Sequence, residues 1–218
     1  MAAAAALLVG ATAVPAAATP TERHAAGEQF SFRLHEAVRA LPLAQESRDG
    51  YVRTKFKHWV DADKDGCDAR REVLIAEAVE PVEVGARCAL TGGRWWSRYD
   101  DRFLDQATQL DVDHMVPLAE AWDSGASGWS AAERQAYAND LDDERLLIAV
   151  SAASNRSKAD KDPAEWMPPY AEYACEYTGN WIAMKIRWGL SVDQVEYDAL
   201  AAQAASCPDV EITGARAR

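Results

Sequence analysis

Asp111-Val112-Asp113-His114-Met115-Val116-Pro117-Leu118 is the stretch on which the reading of this chain turns. Asp111, Val112 and Asp113 alternate polar and apolar, like the tail of a half-buried strand, and Pro117 marks where that strand must stop. Neighbouring side chains on a strand point to opposite faces, so Asp113 and His114 share one place only if the strand ends or bends there. An Asp-His pair alone says little. A second segment adds weight: Ser154-Asn155-Arg156-Ser157-Lys158, continuing through Asp160 and Asp162 to Pro163, returns an amide and two cations from a helical stretch.

These residue types suit hydrolysis of a phosphodiester, which needs an activated water, charge neutralisation on the phosphate and leaving oxygen, and fixed geometry. A histidine with an ordinary pKa of about 6.5 suits proton transfer near neutral pH, so His114 is the expected general base. Asp113 and the side-chain oxygen of Asn155 are hard donors. They suit Mg²⁺ first, with Mn²⁺ or Ca²⁺ as substitutes, rather than zinc. Arg156 and Lys158 are expected to neutralise flanking phosphates.

At this point the sequence resembles the HNH endonuclease signature. More narrowly, it is similar to secreted proteins related to the C-terminal domain of GmrSD-type restriction enzymes. The resemblance runs from about Gly50 to Cys207 and takes in W-x-D-A-D-x-D-G-C (Trp59–Cys67), W-x-x-x-Y (Trp95–Tyr99), Y-A-N-D (Tyr137–Asp140) and D-P-A-E-W (Asp162–Trp166). It implies an α+β fold with a ββα-metal (HNH, or His-Me finger) core. Strands before and through Asp113 and the helix carrying Asn155 would form that core, braced by C-terminal helices and disulfides. It implies metal ligation by Asp113 and Asn155, base catalysis by His114, and a nucleic-acid substrate, DNA ahead of RNA. Such motifs also carry a middle Asn that orients the histidine. Here the nearer stretch reads Glu144-Arg145-Leu146-Leu147, so the nearest candidate is Asn139. Either Asn139 fills that catalytic role, or it is a helix C-cap and a backbone carbonyl orients His114. The zinc-binding Cys pairs of some relatives are absent.

Further outward, 218 residues with 49% apolar and 27% charged content suit one soluble domain. The expected layout is a signal peptide over 1–18, a linker and helix over 19–49, the nuclease domain over 50–207 and a tail over 208–218. Ala2–Ala18 is small and apolar, with Ala16-Ala17-Ala18 as a cleavage site, although no Lys or Arg precedes it. The alternative is an Ala-rich leader on a cytosolic protein. No other stretch reaches transmembrane length, so a secreted protein without stable membrane association is expected, monomeric by default. Cys67, Cys88, Cys175 and Cys207 allow three connectivities; Cys67–Cys88 and Cys175–Cys207 are the simplest. The net charge of −12 argues against binding nucleic acid by bulk electrostatics, although a bound cation offsets part of the repulsion. Two other readings therefore stand beside the nuclease: an extracellular calcium-stabilised binding module with a non-catalytic HNH remnant, and a phosphodiesterase acting on something other than nucleic acid.

The remaining elements follow from pattern. A helix is expected over Glu28–Gln45, and an aromatic, basic segment spans Tyr51–Trp59. Asp61, Asp63, Asp65, Gly66 and Glu72 satisfy the spacing of an EF-hand calcium loop; the alternative is a solvated acidic turn opening a helix over Glu72–Val79. Arg70, Arg71 and Glu72 read as a charged first turn rather than as cleft lining. Residues 84–99 suggest a hairpin turning at Thr91–Arg94. Ser130 and Glu133 form a capping box for a helix reaching Asn139. Tyr173, Tyr177, Trp181, Met184 and Trp188 make one helical apolar stripe, stopped by Gly189, with Ser191 capping a last helix over 192–207.

Overall fold

Leu146–Val150 has no polar face, so a strand made from it must be covered on both sides. In the computed structural model, which describes residues 25–218, it is. In chain order the elements are β1 (Gln29–Arg33), α1 (Leu34–Arg39), α2 (Ala69–Ala76), β2 (Glu80–Val84), β3 (Leu90–Ser97), β4 (Arg102–Leu104) and β5 (Leu110–His114). Then come α3 (Leu118–Asp123), α4 (Ala131–Ala138), β6 (Leu147–Ser151), α5 (Ala152–Lys158), α6 (Ala174–Trp188), α7 (Gln194–Ala205) and β7 (Glu211–Ala215).

β5 and β6 pair antiparallel, Leu110 opposite Ser151 and His114 opposite Leu147. Leu110 and Val112 of β5 join Leu147 and Ala149 of β6 in a smaller core around Leu74 and Trp95. Ile148 and Val150 face the other way, into the larger core with Met115, Tyr137 and Trp181. The outer edge of β6 is covered by side chains: Ala149 N–H donates to Glu77 Oε2 and Ser151 N–H to Ser97 Oγ, both at 2.9 Å. These two N–H groups are therefore not available to another strand. Ser151 ends β6 and caps α5 directly, its Oγ accepting from the Ser154 N–H at 3.2 Å. Strand and helix are thus joined without a loop, which fixes where Asn155 and Lys158 project.

The expected helix over Glu28–Gln45 is corrected. Its first part is β1, which pairs with β7, Gln29 opposite Ala215 and Arg33 opposite Glu211. The start of the expected helix and the expected tail therefore close on each other, and Phe30, Leu34, Val38 and Ile212 enter the larger core. The hairpin is also displaced. β2 and β3 are joined through 85–89, and Thr91–Arg94 lies inside β3. Gly93 has φ +80, and a Cβ there would sit 2.6 Å from the Trp95 ring, so glycine serves close packing rather than a turn. α4 has the expected capping box. α6 ends at Gly189 in the left-handed conformation, whereas α7 is capped by Asp193 rather than Ser191. The disulfides are Cys67–Cys88 and Cys175–Cys207, and no cysteine is free. The expected signal peptide lies outside the described residues.

Candidate active site

At the end of β5 the alternation of side chains runs out. Asp113 faces α5, and His114 has the opposite parity, that of Leu110 and Val112; both nevertheless line one cleft of about 330 Å³. Arg53, Asn155, Arg156 and Asp160 line it too. Asp113, His114, Asn155 and Arg156, separated by up to about forty positions in sequence, are brought together here.

His114 is 4% exposed. Its ring packs against Trp59 and Tyr137, with centroids 5.6 and 6.1 Å away. Nε2 lies 3.1 Å from the carbonyl oxygen of Ala138. A carbonyl only accepts, so Nε2 carries the proton and Nδ1 keeps the lone pair. Burial pushes the imidazole pKa down to about 3; the Ala138 carbonyl opposes this, and the charges of Arg53, His58 and Lys158 add to it. His114 is therefore neutral at physiological pH.

The Ala138 carbonyl makes the orienting contact for which Asn139 was one candidate. Asn139 is the C-cap of α4. Its Oδ1 accepts from Val60 N–H at 2.8 Å, and its Nδ2 donates to the Lys57 and Gln135 carbonyls, both at 2.7 Å. Asn139 thus anchors the segment that carries Trp59 over His114, while its neighbour's backbone addresses the ring.

Asp113 Oδ2 accepts from Tyr99 OH at 2.6 Å and from the Lys158 ammonium. Both of its hydrogen bonds fall on Oδ2, leaving Oδ1 to the cleft. Lys158 also donates to the carbonyls of His114 and Met115 at 2.8 and 2.9 Å, which accounts for its three protons. The expectation that Lys158 contacts phosphate is corrected on this ground. Its side chain is fully buried and spent on holding the end of β5 against α5. Arg156 is 76% exposed, 3.7 Å from Asp111, and free to reach a ligand. Asn155 Nδ2 donates to Asp111 Oδ2 at 3.3 Å, which turns the amide so that Oδ1 remains available.

Several residues at the site have roles that sequence alone does not assign. Arg53 lines the cleft, Tyr99 holds Asp113, Trp59 covers His114 and Asp111 orients Asn155. Trp59 and Tyr99 sit in recognisable motifs, which is a signal without a role. Arg53 had only the basic character of its segment. Arg70 does not line the cleft; it donates to the Leu110 carbonyl at 2.9 Å, tying α2 to the start of β5.

The acidic loop lies outside the cleft lining. Carboxylate oxygens of Asp61, Asp63 and Asp65 come within 4.8 Å of one another. Backbone N–H groups of Lys64 and Gly66 donate to Asp61 at 2.8 and 3.1 Å. Asp68 caps α2 by accepting from the Arg71 N–H at 3.0 Å, so the helix begins at Ala69 rather than Glu72. Glu72 is raised by burial and by repulsion from Asp65, Asp63 and Asp61.

Residues 86–203 match the family of C-terminal domains of GmrSD restriction endonucleases. An uncharacterised secreted protein of Arthroderma benhamiae is 40% identical over 163 residues, which cover 75% of this chain and 78% of that protein. No solved structure matches the chain.

Proposed function

The chain belongs to the GmrSD restriction endonuclease C-terminal domain family, and on that premise we propose that it is a secreted, divalent-metal-dependent endonuclease with His114 as general base. The β5–β6–α5 unit is then its ββα-metal core. One observation carries the reading: a single cleft holds Asp113, His114, Asn155 and Arg156, with the histidine tautomer set so that Nδ1 is the basic nitrogen. Export is supported by the secreted relative and two disulfides. Among the described residues no helix is long and apolar enough to cross a membrane.

Asp113 Oδ1 and Asn155 Oδ1 are hard oxygens on adjoining elements, and no sulfur lines the cleft, so this donor set fits Mg²⁺. When bound, such an ion supplies charge stabilisation at the phosphate and leaving oxygen. The chain's own groups do the rest. Neutral His114 accepts a proton from water at Nδ1 as the water oxygen bonds to phosphorus. The P–O3′ bond breaks, the leaving oxygen takes up a proton from solvent water, and His114 returns its proton to solvent. Burial is the main cause of the low His114 pKa; an anionic phosphodiester in the cleft works against it by favouring the imidazolium as it forms. Arg53 and Arg156 are positioned to hold substrate phosphates, a local positive pair in a chain of net charge −12. DNA is the expected substrate ahead of RNA.

The test is digestion of plasmid DNA, RNA and a small aryl phosphodiester by the folded, oxidised protein with Mg²⁺, Mn²⁺ or EDTA. Cleavage of nucleic acid that EDTA stops supports the reading. Turnover of the small diester alone points to another phosphodiester substrate, and no turnover of any of them points to a binding module.

A further inference from the structure

Away from the cleft, negative charge is concentrated where the segment after α1 crosses α3. Carboxylate oxygens of Glu46, Glu120 and Asp123 lie within 4.8 Å of one another. Glu46 Oε1 and Asp123 Oδ1 are closed off from solvent and accept no hydrogen bond. The side chains of Glu120 and Asp123 are only 4% and 7% exposed. Leaving a buried acceptor unmatched is costly, and more so when it is charged.

Neighbouring cations do not meet this demand. Lys185 reaches Glu120, Glu196, Ser124 and the Ser191 carbonyl, more acceptors than an ammonium has protons. Arg48 serves Asp123 through Oδ2 at 2.6 Å and leaves Oδ1 alone. Arg48 is itself shared between Asp123 and Asp160, and Asp193 adds further negative charge near Glu46.

We propose that Glu46, Glu120 and Asp123 bind a hard divalent cation, Ca²⁺, at a site separate from the cleft. The donors are all carboxylate oxygens, which suits calcium and not zinc. At Ca–O distances of about 2.3–2.6 Å, oxygens on opposite sides of the ion are up to about 5 Å apart, so three within 4.8 Å of one another can share it. Glu46 also lines an open groove with Asp193 and Gln194, which provides an entry path. The ion clamps the segment holding Glu46 to α3. Arg48 extends that clamp to the cleft, because it also lies 3.4 Å from Asp160 on the cleft lining. The rival occupant is a proton: burial and the charge of Glu120 push Glu46 up to about 8.

Calcium titration of the full, oxidised chain tests this, in a background carrying Asp113→Ala, Asp61→Asn, Asp63→Asn and Asp65→Asn so that the other acidic clusters are silenced. One calcium equivalent and a calcium-dependent rise in Tm are expected to persist there. Both are lost on adding Glu46→Gln, which keeps shape and removes charge, and Asp123→Asn repeats the loss. No calcium bound in the background, or the same stoichiometry and Tm rise with Glu46→Gln, overturns the proposal in favour of a shared proton. Neither readout depends on nuclease activity.

Discussion

Lys158 and Lys185 both have fully buried side chains, yet the first answers to one carboxylate and the second to two. Burial pushes Lys158 below the ordinary lysine range, and Asp113 only partly restores it. At Lys185 the same burial is outweighed by Glu120 and Glu196, so its pKa lies above that range. The difference separates two jobs for buried charge. Around Lys185, α3, α6 and α7 are locked by an ammonium whose protons are all taken. Around Lys158, two backbone carbonyls share the load, so the lysine fixes Asp113 through one oxygen and leaves the other to the cleft.

Removing each lysine should break the contrast most sharply. Lys185→Met strands two buried carboxylates and is expected to cost about 5 kcal/mol, the upper end of the range for a broken buried pair. Cleavage per folded molecule should stay unchanged. Lys158→Met strands one carboxylate and should cost about 3 kcal/mol by urea denaturation. Its cleavage rate should also fall about 10–100-fold, as when the support of a metal ligand is lost. Equal activity losses in the two variants would erase the distinction. Tyr99→Phe is gentler: it deletes one hydrogen bond to a charged group, about 1.5–3 kcal/mol, and should weaken the apparent Mg²⁺ affinity.

The smallest effect belongs to Glu77 at the edge of β6. Burial raises its carboxyl to about 7, against the lowering effect of the Ala149 N–H. A folded pKa above the ordinary 4.5 means that its contribution to stability is complete below pH 4.5 and is lost as pH rises through about 7. Glu77→Gln should flatten the decline in stability across that window, measured as urea midpoints at stepped pH. An unchanged slope would remove Glu77 as its source.

The strand ending at His114, the capping box at Ser130 and the stripe on α6 were legible because each is a local pattern with a fixed period or spacing. β1 was not, since Gln29–Arg33 becomes a strand only through β7, some 180 positions away, a pairing that no local window contains. At the site, Asp113, His114 and Asn155 carry their chemistry in their side chains and could be named from sequence. The Ala138 carbonyl could not, because every residue has one and only the fold aims it at an imidazole. Lys158 misleads for a related reason. A lysine two positions from an exposed arginine looks like a second phosphate ligand until burial shows that it faces the other way.

Digestion of supercoiled plasmid by the oxidised protein in Mg²⁺, beside a folded His114→Ala variant, tests the central claim most directly. The account expects cleavage that EDTA abolishes and that falls about 10²–10⁴-fold per folded molecule in the variant, the range for loss of a general base. Undiminished cleavage by His114→Ala would contradict it and move the chemistry out of this cleft.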